Sequence, residues 1–268
     1  MKEKVSSVIV TFNPDKERLL AEIEVLRRWA VEIIIVDNTE GGWKDVPRGV
    51  ELISFGENKG VATALNEGFK KAIGGGAAWI LSFDQDSLPP EDMLEKYLDF
   101  MASHPAAGQI GPLYSGMKQK EDSKVDHVIT SGAMTSAKAF SEVGGFRDEL
   151  FIDMVDIDFS YRLRDAGFEV WRTSGVMMEH NLGDGRKGLL IKGKLRLVYI
   201  EHSPVRWYYM TRNALAVCPH TYISRKLFKN ILKMLLFGEE KLLKIRYILR
   251  GIKDFRRGVF GKFREETR

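Results

Sequence analysis

Cysteine is almost absent from this chain, because Cys218 is the only one among 268 residues. An internal disulfide framework and a metal site built from several thiolates are therefore excluded. Long apolar runs are missing as well, and no stretch reaches the roughly 18 residues that a membrane-spanning helix needs. The opening residues Met1–Lys4 lack the apolar core of a secretory signal. These absences predict a protein of a reducing, cytoplasmic compartment.

Two common enzyme motifs are also missing. The chain has no G-x-x-x-x-G-K-[ST] phosphate loop, so Gly74–Gly76 is interpreted as a turn between a helix and a strand. It has no G-x-S-x-G nucleophile motif and no other sign of a Ser-His-Asp arrangement. The aromatic cluster Trp207–Tyr209 is typical of packing, and no nucleic-acid partner is expected.

Charge is distributed unevenly along the chain. The net charge is +4, and residues 221–268 alone hold 14 Lys and Arg against 5 Asp and Glu. The tail therefore carries +9 and the preceding residues carry −5. A basic tail on an acidic body favours an anionic surface as the partner of the tail, although a solvated helical face would look the same.

The first hundred residues alternate between apolar strands and amphipathic helices. The strands are predicted at 7–12, 32–36, 50–55 and 77–83, and the helices between them at 15–30 and 61–73. Near-continuous apolar strands separated by helices predict an α/β fold, with a mostly parallel sheet covered on both faces. A further strand is predicted at 128–136, and two amphipathic helices broken near Gly238 are predicted in the tail.

Polar residues follow three of these strands directly. They are Asn13, Asp37-Asn38 and Asp84-Gln85-Asp86. Ligands of open parallel sheets bind beyond the carboxyl ends of the strands, so these side chains are expected to line one crevice. A D-x-D sequence alone is weak evidence, because many are surface turns. At the end of a strand, Asp84 and Asp86 become candidate oxygen ligands for Mg²⁺ or Mn²⁺.

A second acidic group lies in the middle of the chain. Asp153, Asp156 and Asp158 fall within six residues and are surrounded by apolar side chains. One of them could favour the positive end of a helix, but three carboxylates in such surroundings repel one another, which makes a general base plausible. His180 ends a later apolar run and is a candidate ligand of the cation or of phosphates.

Short motifs follow one another in a fixed order from Val8 to about Asn213. They are Val10-Thr11-Phe12-Asn13, Val36-Asp37-Asn38, Asn58-Lys59-Gly60 with Asn66, Phe83-Asp84-Gln85-Asp86-Ser87, Thr130-Ser131-Gly132, Gly144-Gly145-Phe146, Phe151-Ile152-Asp153 with Val155-Asp156-Ile157-Asp158, and Arg212-Asn213. In this order they resemble the inverting family 2 glycosyltransferases of the GT-A fold. The D-Q-D-S and F-I-D-x-V-D-x-D forms resemble those of bacterial L-rhamnosyltransferases in particular.

The resemblance implies a role for each matching residue. Asp156 corresponds to the catalytic base, and Asp86, Asp84 and His180 correspond to metal ligands. The positions that correspond to nucleotide-sugar contacts are Thr11, Asn13, Asp37, Asn58, Asn66, Asp84, Gln85, Ser131, Gly132 and Asp158. One position departs from the pattern, because many relatives carry Glu where this chain has Val155.

The implied reaction is a single displacement assisted by Mn²⁺ or Mg²⁺. The implied donor is dTDP-β-L-rhamnose, and the implied acceptor is a saccharide or lipid-linked saccharide of bacterial surface polysaccharide. Another UDP- or GDP-sugar donor, a sugar nucleotidyltransferase and a non-catalytic nucleotide-sugar-binding protein are the alternatives. The nucleotidyltransferase is disfavoured because Asn13-Pro14-Asp15 stands where that class expects a glycine-rich basic loop.

The expected domain organisation is a GT-A catalytic domain over 1–220 followed by a basic helical tail over 221–268. Within the domain, 1–105 is the nucleotide-binding half and 106–220 the acceptor-side half. The apolar residues of the tail are Ile223, Leu227, Phe228, Ile231, Leu232 and Leu235, then Leu242, Ile245, Ile248, Leu249, Ile252 and Phe255. A basic amphipathic helix of this kind favours peripheral contact with the inner face of the membrane, and packing within the protein or in a homo-oligomer is the alternative.

Overall fold

The computed structural model of the chain describes residues 3–29, 31–43, 46–179, 186–187, 190–191, 194–195, 199–217 and 221–265. Contacts divide the chain into two units. One comprises Met1–Phe151 and Val155–His180, and the other comprises Ile152–Met154 and Asn181–Arg268. Each unit has its own apolar core.

The first unit is built on a sheet of eight strands. They are β1 (Val5–Thr11), β2 (Glu32–Asp37), β3 (Val50–Ser54), β4 (Trp79–Asp84), β5 (Ala107–Tyr114), β6 (Ser123–Lys124), β7 (Ala133–Ser136) and β8 (Glu169–Met178). Their order across the sheet is β3-β2-β1-β4-β7-β5-β8-β6. Strands β1 to β4 are parallel, whereas β7 is antiparallel to both β4 and β5. The parallel strands therefore end together at one edge of the sheet.

Helices cover both faces of this sheet. They are α1 (Lys16–Arg28), α2 (Val61–Gly74), α3 (Met93–Ser103), α4 (Ala137–Glu142) and α5 (Val155–Asp165). Successive residues of a strand point to opposite faces. Accordingly, Ile9 packs in the core that contains the apolar residues of α1 and α3, while Val8 lies against Gly68 of α2. The predicted α/β class with a mostly parallel, doubly covered sheet is confirmed.

The middle of the chain differs from the prediction in two places. Strand β5 was not predicted, although all eight of its residues are buried. The strand predicted at 128–136 begins only at Ala133, because Gly132 has a left-handed φ of 76° that interrupts extended backbone. Ser131 and Gly132 therefore lie in a loop that enters β7, beside the carboxyl end of β4.

The second unit consists of three helices and short strand pairs. The helices are α6 (Pro204–Val217), α7 (Thr221–Phe237) and α8 (Lys241–Arg256). Strand β9 (Arg186–Lys187) pairs with β12 (Tyr199–Ile200), and β10 (Leu190–Ile191) pairs with β11 (Lys194–Leu195). Trp207, Met234 and Ile248 from the three helices share one core. The domain boundary after residue 220 stays a prediction. Residues from both sides of it, in α6 and in α7 and α8, share this core.

The helices α7 and α8 carry apolar residues on two faces. Leu227, Ile231 and Ile245 pack against the core of the second unit, so they are not available to a membrane. A different set stays exposed: Phe228, Leu232, Leu235 and Leu236 on α7, and Leu242, Leu243 and Leu249 on α8. Within the described part of the chain, no helix is both long and apolar enough to cross a bilayer.

Two glycines of α2 allow the packing of this helix to be tested. A Cβ atom at Gly68 would lie 2.3 Å from Cγ1 of Val8, whereas one at Gly74 would meet nothing within 4 Å. We expect Gly68→Ala to lower the free energy of unfolding by about 1–3 kcal/mol through overpacking. Gly74→Ala, its matched control, should leave stability unchanged or raise it by up to about 1 kcal/mol. Urea unfolding measures both, and equal effects would contradict the close approach of α2 to β1.

Candidate active site

Asp37 forms the centre of a polar cluster at the ends of β1 and β2. Its Oδ1 accepts hydrogen bonds from the hydroxyls of Thr11 (2.9 Å) and Thr39 (2.6 Å) and from the backbone N–H of Thr39 (3.2 Å). Its Oδ2 is buried and has no hydrogen-bond partner among the described residues. A buried carboxylate oxygen left without a donor is costly, which makes this atom a candidate acceptor for a ligand.

The residues Asp84–Ser87 form a turn that is anchored at both ends. The backbone N–H of Ser87 donates to the carbonyl of Asp84 (3.1 Å), which closes the turn. The side-chain oxygen of Gln85 accepts from the backbone N–H of Phe12 at the end of β1 (2.7 Å), and the hydroxyl of Ser87 bonds that of Ser131 (2.5 Å). The predicted D-x-D residues therefore lie beside the strand end that carries Thr11.

The carboxylates of this turn suit a hard divalent cation. Asp84 is half-buried and Asp86 is exposed, and both offer oxygen ligands. Among the described residues, no group of three or more His, Cys, Asp or Glu is arranged to hold a metal ion. The donor set thus fits Mg²⁺ or Mn²⁺ that takes further ligands from phosphates and water, rather than an ion enclosed by protein ligands. His180, the third predicted ligand, lies outside the described residues.

The loop before α2 brings the start of α5 close to this edge of the sheet. The side chain of Asn58 accepts from the backbone N–H of Gly60 (2.9 Å) and shapes the turn. Gly60 has φ of 89°, and a Cβ atom there would lie 2.6 Å from the carbonyl oxygen of Phe151. That carbonyl accepts from the backbone N–H of Val61 at the first turn of α2 (2.7 Å). Four residues later, Val155 begins α5 and Asp156 lies in its first turn.

Asp84 and Asp156 both act electrostatically on Tyr114. Burial is the largest cause of the raised pKa of its phenol, and the negative charges of Asp84 and Asp156 raise that pKa further. Asn13, by contrast, has an exposed side chain, and its backbone N–H donates to the hydroxyl of Thr39 (2.8 Å).

Two residues that the resemblance assigned to the nucleotide sugar are engaged within the protein. The side chain of Asn66 donates to the carbonyl of Phe146 (2.8 Å) and to Asp148 (2.7 Å), and accepts from the backbone N–H of Phe146 (2.8 Å). The buried carboxylate of Asp158 is paired with two arginines, Arg147 (3.2 Å) and Arg162 (2.8 Å). The structure places Asn66 and Asp158 as supports of the loops around the site, and their ligand contacts stay a prediction.

Comparisons with known proteins give a matching family and similar relatives. The family model described as glycosyl transferase family 2 matches residues 6–144. The dTDP-rhamnosyl transferase RfbF of Shigella flexneri is 32% identical over 241 residues, which cover 80% of this chain and 79% of that protein. The N-acetylglucosaminyl-diphospho-decaprenol L-rhamnosyltransferase of Mycobacterium tuberculosis is 23% identical over 296 aligned residues, covering 85% of this chain and 95% of that protein.

Solved structures support the fold alone. TarS 1-349 of S. aureus in complex with UDP-GlcNAc has a TM-score of 0.58 at 13% identity, covering 96% of this chain and 81% of that chain. GalNAc-T7 with UDP, GalNAc and Mn²⁺ has a TM-score of 0.58 at 12% identity, covering 94% of this chain and 57% of that chain. The expected GT-A fold is confirmed by these similarities.

Glu22 was missed at the sequence level, although the pattern contained a signal for it. It lies on the same stripe of α1 as Leu19, Ile23 and Leu26, at helical spacing. Its side chain is fully buried, and neither carboxyl oxygen has a hydrogen-bond partner among the described residues. Burial raises the pKa of Glu22 well above its usual range, and the negative charges of Asp84 and Asp86 raise it further.

The raised pKa of Glu22 predicts a specific pH dependence of stability. Below the pKa of the unfolded chain, near 4.5, the carboxyl is protonated in both states and carries no penalty. As the pH rises toward the folded pKa, the wild type should lose up to about 1.4 kcal/mol of unfolding free energy per pH unit. Glu22→Gln removes this ionisation, so its stability relative to the wild type should increase with pH.

Urea unfolding of both proteins between pH 5 and pH 8 measures this difference. Glu17→Gln, an exposed position on the same helix, is the matched control and should not show the same widening. A constant difference between wild type and Glu22→Gln across the pH range would contradict a buried, protonated Glu22.

Proposed function

Because the chain belongs to glycosyl transferase family 2, we propose that it transfers L-rhamnose from dTDP-β-L-rhamnose to a saccharide acceptor with inversion at the anomeric carbon. The observation that carries this proposal is the set of carboxylates at the ends of the parallel strands. Asp37 ends β2, Asp84 ends β4 and Asp86 lies in the turn after it, while Asp156 lies in the first turn of α5 and, like Asp84, acts electrostatically on Tyr114. The similarity to RfbF of Shigella flexneri supports a rhamnosyl donor.

Asp37 is the proposed recognition group for the nucleotide base. Its buried Oδ2 needs a hydrogen-bond donor, and thymine and uracil each offer one ring N–H. Guanine also offers a ring N–H, so the carboxylate can accept from the base of a dTDP-, UDP- or GDP-sugar. A CMP-sugar has no diphosphate for the proposed cation to bind. Thr11 and Thr39 hold Oδ1 and so orient Oδ2.

Asp84 and Asp86 are the proposed ligands of Mn²⁺ or Mg²⁺. When bound, the cation stabilises the charge that develops on the departing diphosphate. The similar fold of GalNAc-T7 with UDP, GalNAc and Mn²⁺ supports this role for a divalent cation. Gln85 and Ser87, which anchor the turn, keep both carboxylates at the end of β4. His180 remains a proposed third ligand.

Asp156 is the proposed general base. It accepts the proton of the acceptor hydroxyl as that oxygen attacks the anomeric carbon from the face opposite the nucleotide. A single displacement of this kind requires no protein nucleophile. The neighbouring Asp153 is paired with Arg206, and Asp158 with two arginines. Asp156 is the proposed base because it matches the base position of the family motif.

The main alternative is a different sugar donor within the same family. Asp37 does not discriminate between thymine and uracil, which share the ring N–H. The fold similarity to TarS in complex with UDP-GlcNAc keeps a UDP-sugar as the second candidate. The name of the M. tuberculosis relative includes a decaprenol-linked sugar. This supports a lipid-linked acceptor in the synthesis of bacterial surface polysaccharide.

The exposed face of α7 and α8 is the proposed contact with the cytoplasmic leaflet. Phe228 (68% exposed) and Leu242 (79%) are among its seven exposed apolar residues. Over 226–237 and 241–256 the only acidic residue is Asp254, which is buried and bonded to Tyr208 and Arg250. The remaining charges of these helices are basic; Lys244 is buried against Glu201, and exposed basic residues such as Lys229, Lys241 and Lys253 would add attraction to anionic lipids. It would hold the enzyme close to a lipid-linked acceptor.

Asp156→Asn tests the base. We expect turnover to fall about 100- to 10,000-fold while donor affinity stays near that of the wild type, because the amide cannot accept the proton. The matched control is Asp165→Asn at the exposed end of the same helix, which should keep normal turnover. Nucleoside diphosphate release measures turnover, and calorimetry measures donor affinity. Normal turnover in Asp156→Asn would refute the assignment.

Sedimentation with vesicles tests the membrane face. The full-length protein should pellet with phosphatidylglycerol vesicles at low salt and be released by high salt. Each exposed side chain can contribute about 1.5–3 kcal/mol if it becomes fully buried, so replacing Phe228, Leu232 and Leu236 by Ser should abolish pelleting. Leu20→Ser, an exposed leucine of α1, is the control. If the triple variant still pellets, or instead changes from dimer to monomer, the membrane role is wrong.

A further inference from the structure

The segment 130–132 has an unusual set of hydrogen bonds. Each of its three consecutive carbonyls accepts from a side-chain hydroxyl on a different element. Ser82 of β4 donates to the first (2.6 Å), Tyr114 of β5 to the second (2.5 Å) and Tyr97 of α3 to the third (2.8 Å). The orientation of every carbonyl in this loop is therefore set by a neighbouring element of the first unit.

The two tyrosines are suited to act as permanent donors. Both are buried, and burial raises the pKa of each phenol well above its usual range. They stay protonated at neutral pH, so each can donate one hydrogen bond. A buried carbonyl deprived of such a donor would be left unsatisfied, which resists displacement of the loop.

This loop is joined to the turn that carries Asp84 and Asp86. The hydroxyls of Ser131 and Ser87 lie 2.5 Å apart, and both side chains are buried. Ser87 closes the turn through its backbone N–H, which donates to the carbonyl of Asp84. A displacement of Ser131 would therefore move the residue directly after Asp86.

We propose that Ser87, Ser131, Tyr97 and Tyr114 are positioning residues that hold the Asp84–Asp86 carboxylates in the arrangement that binds the divalent cation. The inference rests on the proposed metal site and adds the residues that support it. None of the four needs to touch the cation. They act by fixing the loop and, through the pair of serine hydroxyls, the turn.

The physical need for such support follows from charge. Two carboxylates on one short turn repel each other. Without the anchors at Gln85 and Ser87, the turn would relax to separate Asp84 from Asp86 before a cation arrives. Groups behind metal ligands commonly act in this way, and their loss typically costs about 10- to 100-fold in metal affinity.

Calorimetric titration of the full-length protein with dTDP at a series of Mn²⁺ concentrations tests the inference. The quantity compared is the Mn²⁺ concentration at which dTDP affinity is half-maximal. Ser87→Ala and Ser131→Ala should each raise it about tenfold, within the range typical of groups behind metal ligands. Tyr114→Phe should raise it in the same direction, because the ring is kept and only the donor is lost.

The double variant Ser87→Ala/Ser131→Ala should require no more Mn²⁺ than either single variant, because both remove one shared bond. Ser87→Thr, which keeps the hydroxyl, should restore the wild-type requirement. Ser141→Ala is the matched control, since its hydroxyl bonds a carbonyl within α4. Thermal unfolding without metal identifies any variant that fails to fold. The Mn²⁺ requirement of the serine variants that do fold then tests the inference.

The outcomes separate this inference from the proposed function. Wild-type dTDP affinity that is the same with and without Mn²⁺ would overturn the metal site and this inference together. A wild type that depends on Mn²⁺, with an unchanged Mn²⁺ requirement in Ser87→Ala and Ser131→Ala, would overturn the inference alone. Additive effects in the double variant would also overturn it, because they would show that the two hydroxyls act separately.

Discussion

Parallel strands with mostly apolar side chains on both faces present groups to a ligand at or just beyond their carboxyl ends. In the first unit, β1, β2 and β4 lie side by side and end at Thr11, Asp37 and Asp84. The ends of the strands therefore bring together residues that are far apart in sequence. Asp37, the turn Asp84–Ser87 and the loop at 130–132, to which the proposed binding roles are assigned, all lie at this common edge.

The polar residues at this edge form hydrogen bonds with one another. Thr11 bonds Asp37, Gln85 joins the Asp84–Ser87 turn to the end of β1, and Ser87 joins the same turn to Ser131. These hydrogen bonds restrict the conformations of Asp84 and Asp86 before a ligand binds, so less conformational entropy is lost on binding. The buried Oδ2 of Asp37 and the buried Glu22 retain unsatisfied oxygens, which is a stability cost typical of functional sites.

Much of the fold could be predicted from the sequence because its signals are local. Apolar runs of strand length and helical spacing marked β1 to β4, α1 and α2, and residues after each strand marked the candidate site. Strand β5 and helix α6 could not be predicted in the same way. The sequence of β5 contains two glycines and a proline, and α6 has its apolar and polar residues mixed around the helix.

The supporting residues of the site were harder still to predict. The sequence does not indicate that the phenols of Tyr97 and Tyr114 meet consecutive carbonyls, because α3, β5 and the 130–132 loop come together only in three dimensions. Likewise, the sequence does not indicate that Asn66 bonds Phe146 or that Asp158 pairs with arginines, and the ligand contacts that the resemblance assigned to both stay predictions. A motif indicates which residues belong near a site, and only the folded chain shows what each of them contacts within the protein.

The proposed role of Asp37, Asp84, Asp86 and Asp156 is the transfer of rhamnose from dTDP-β-L-rhamnose. The most direct measurement offers the full-length protein dTDP-β-L-rhamnose, a UDP-sugar, a GDP-sugar and a CMP-sugar separately with Mn²⁺, and follows nucleotide release by chromatography. The account predicts the fastest release from dTDP-β-L-rhamnose, none from the CMP-sugar, and loss of all release when EDTA removes the metal. Release from another donor while dTDP-β-L-rhamnose stays intact would contradict it.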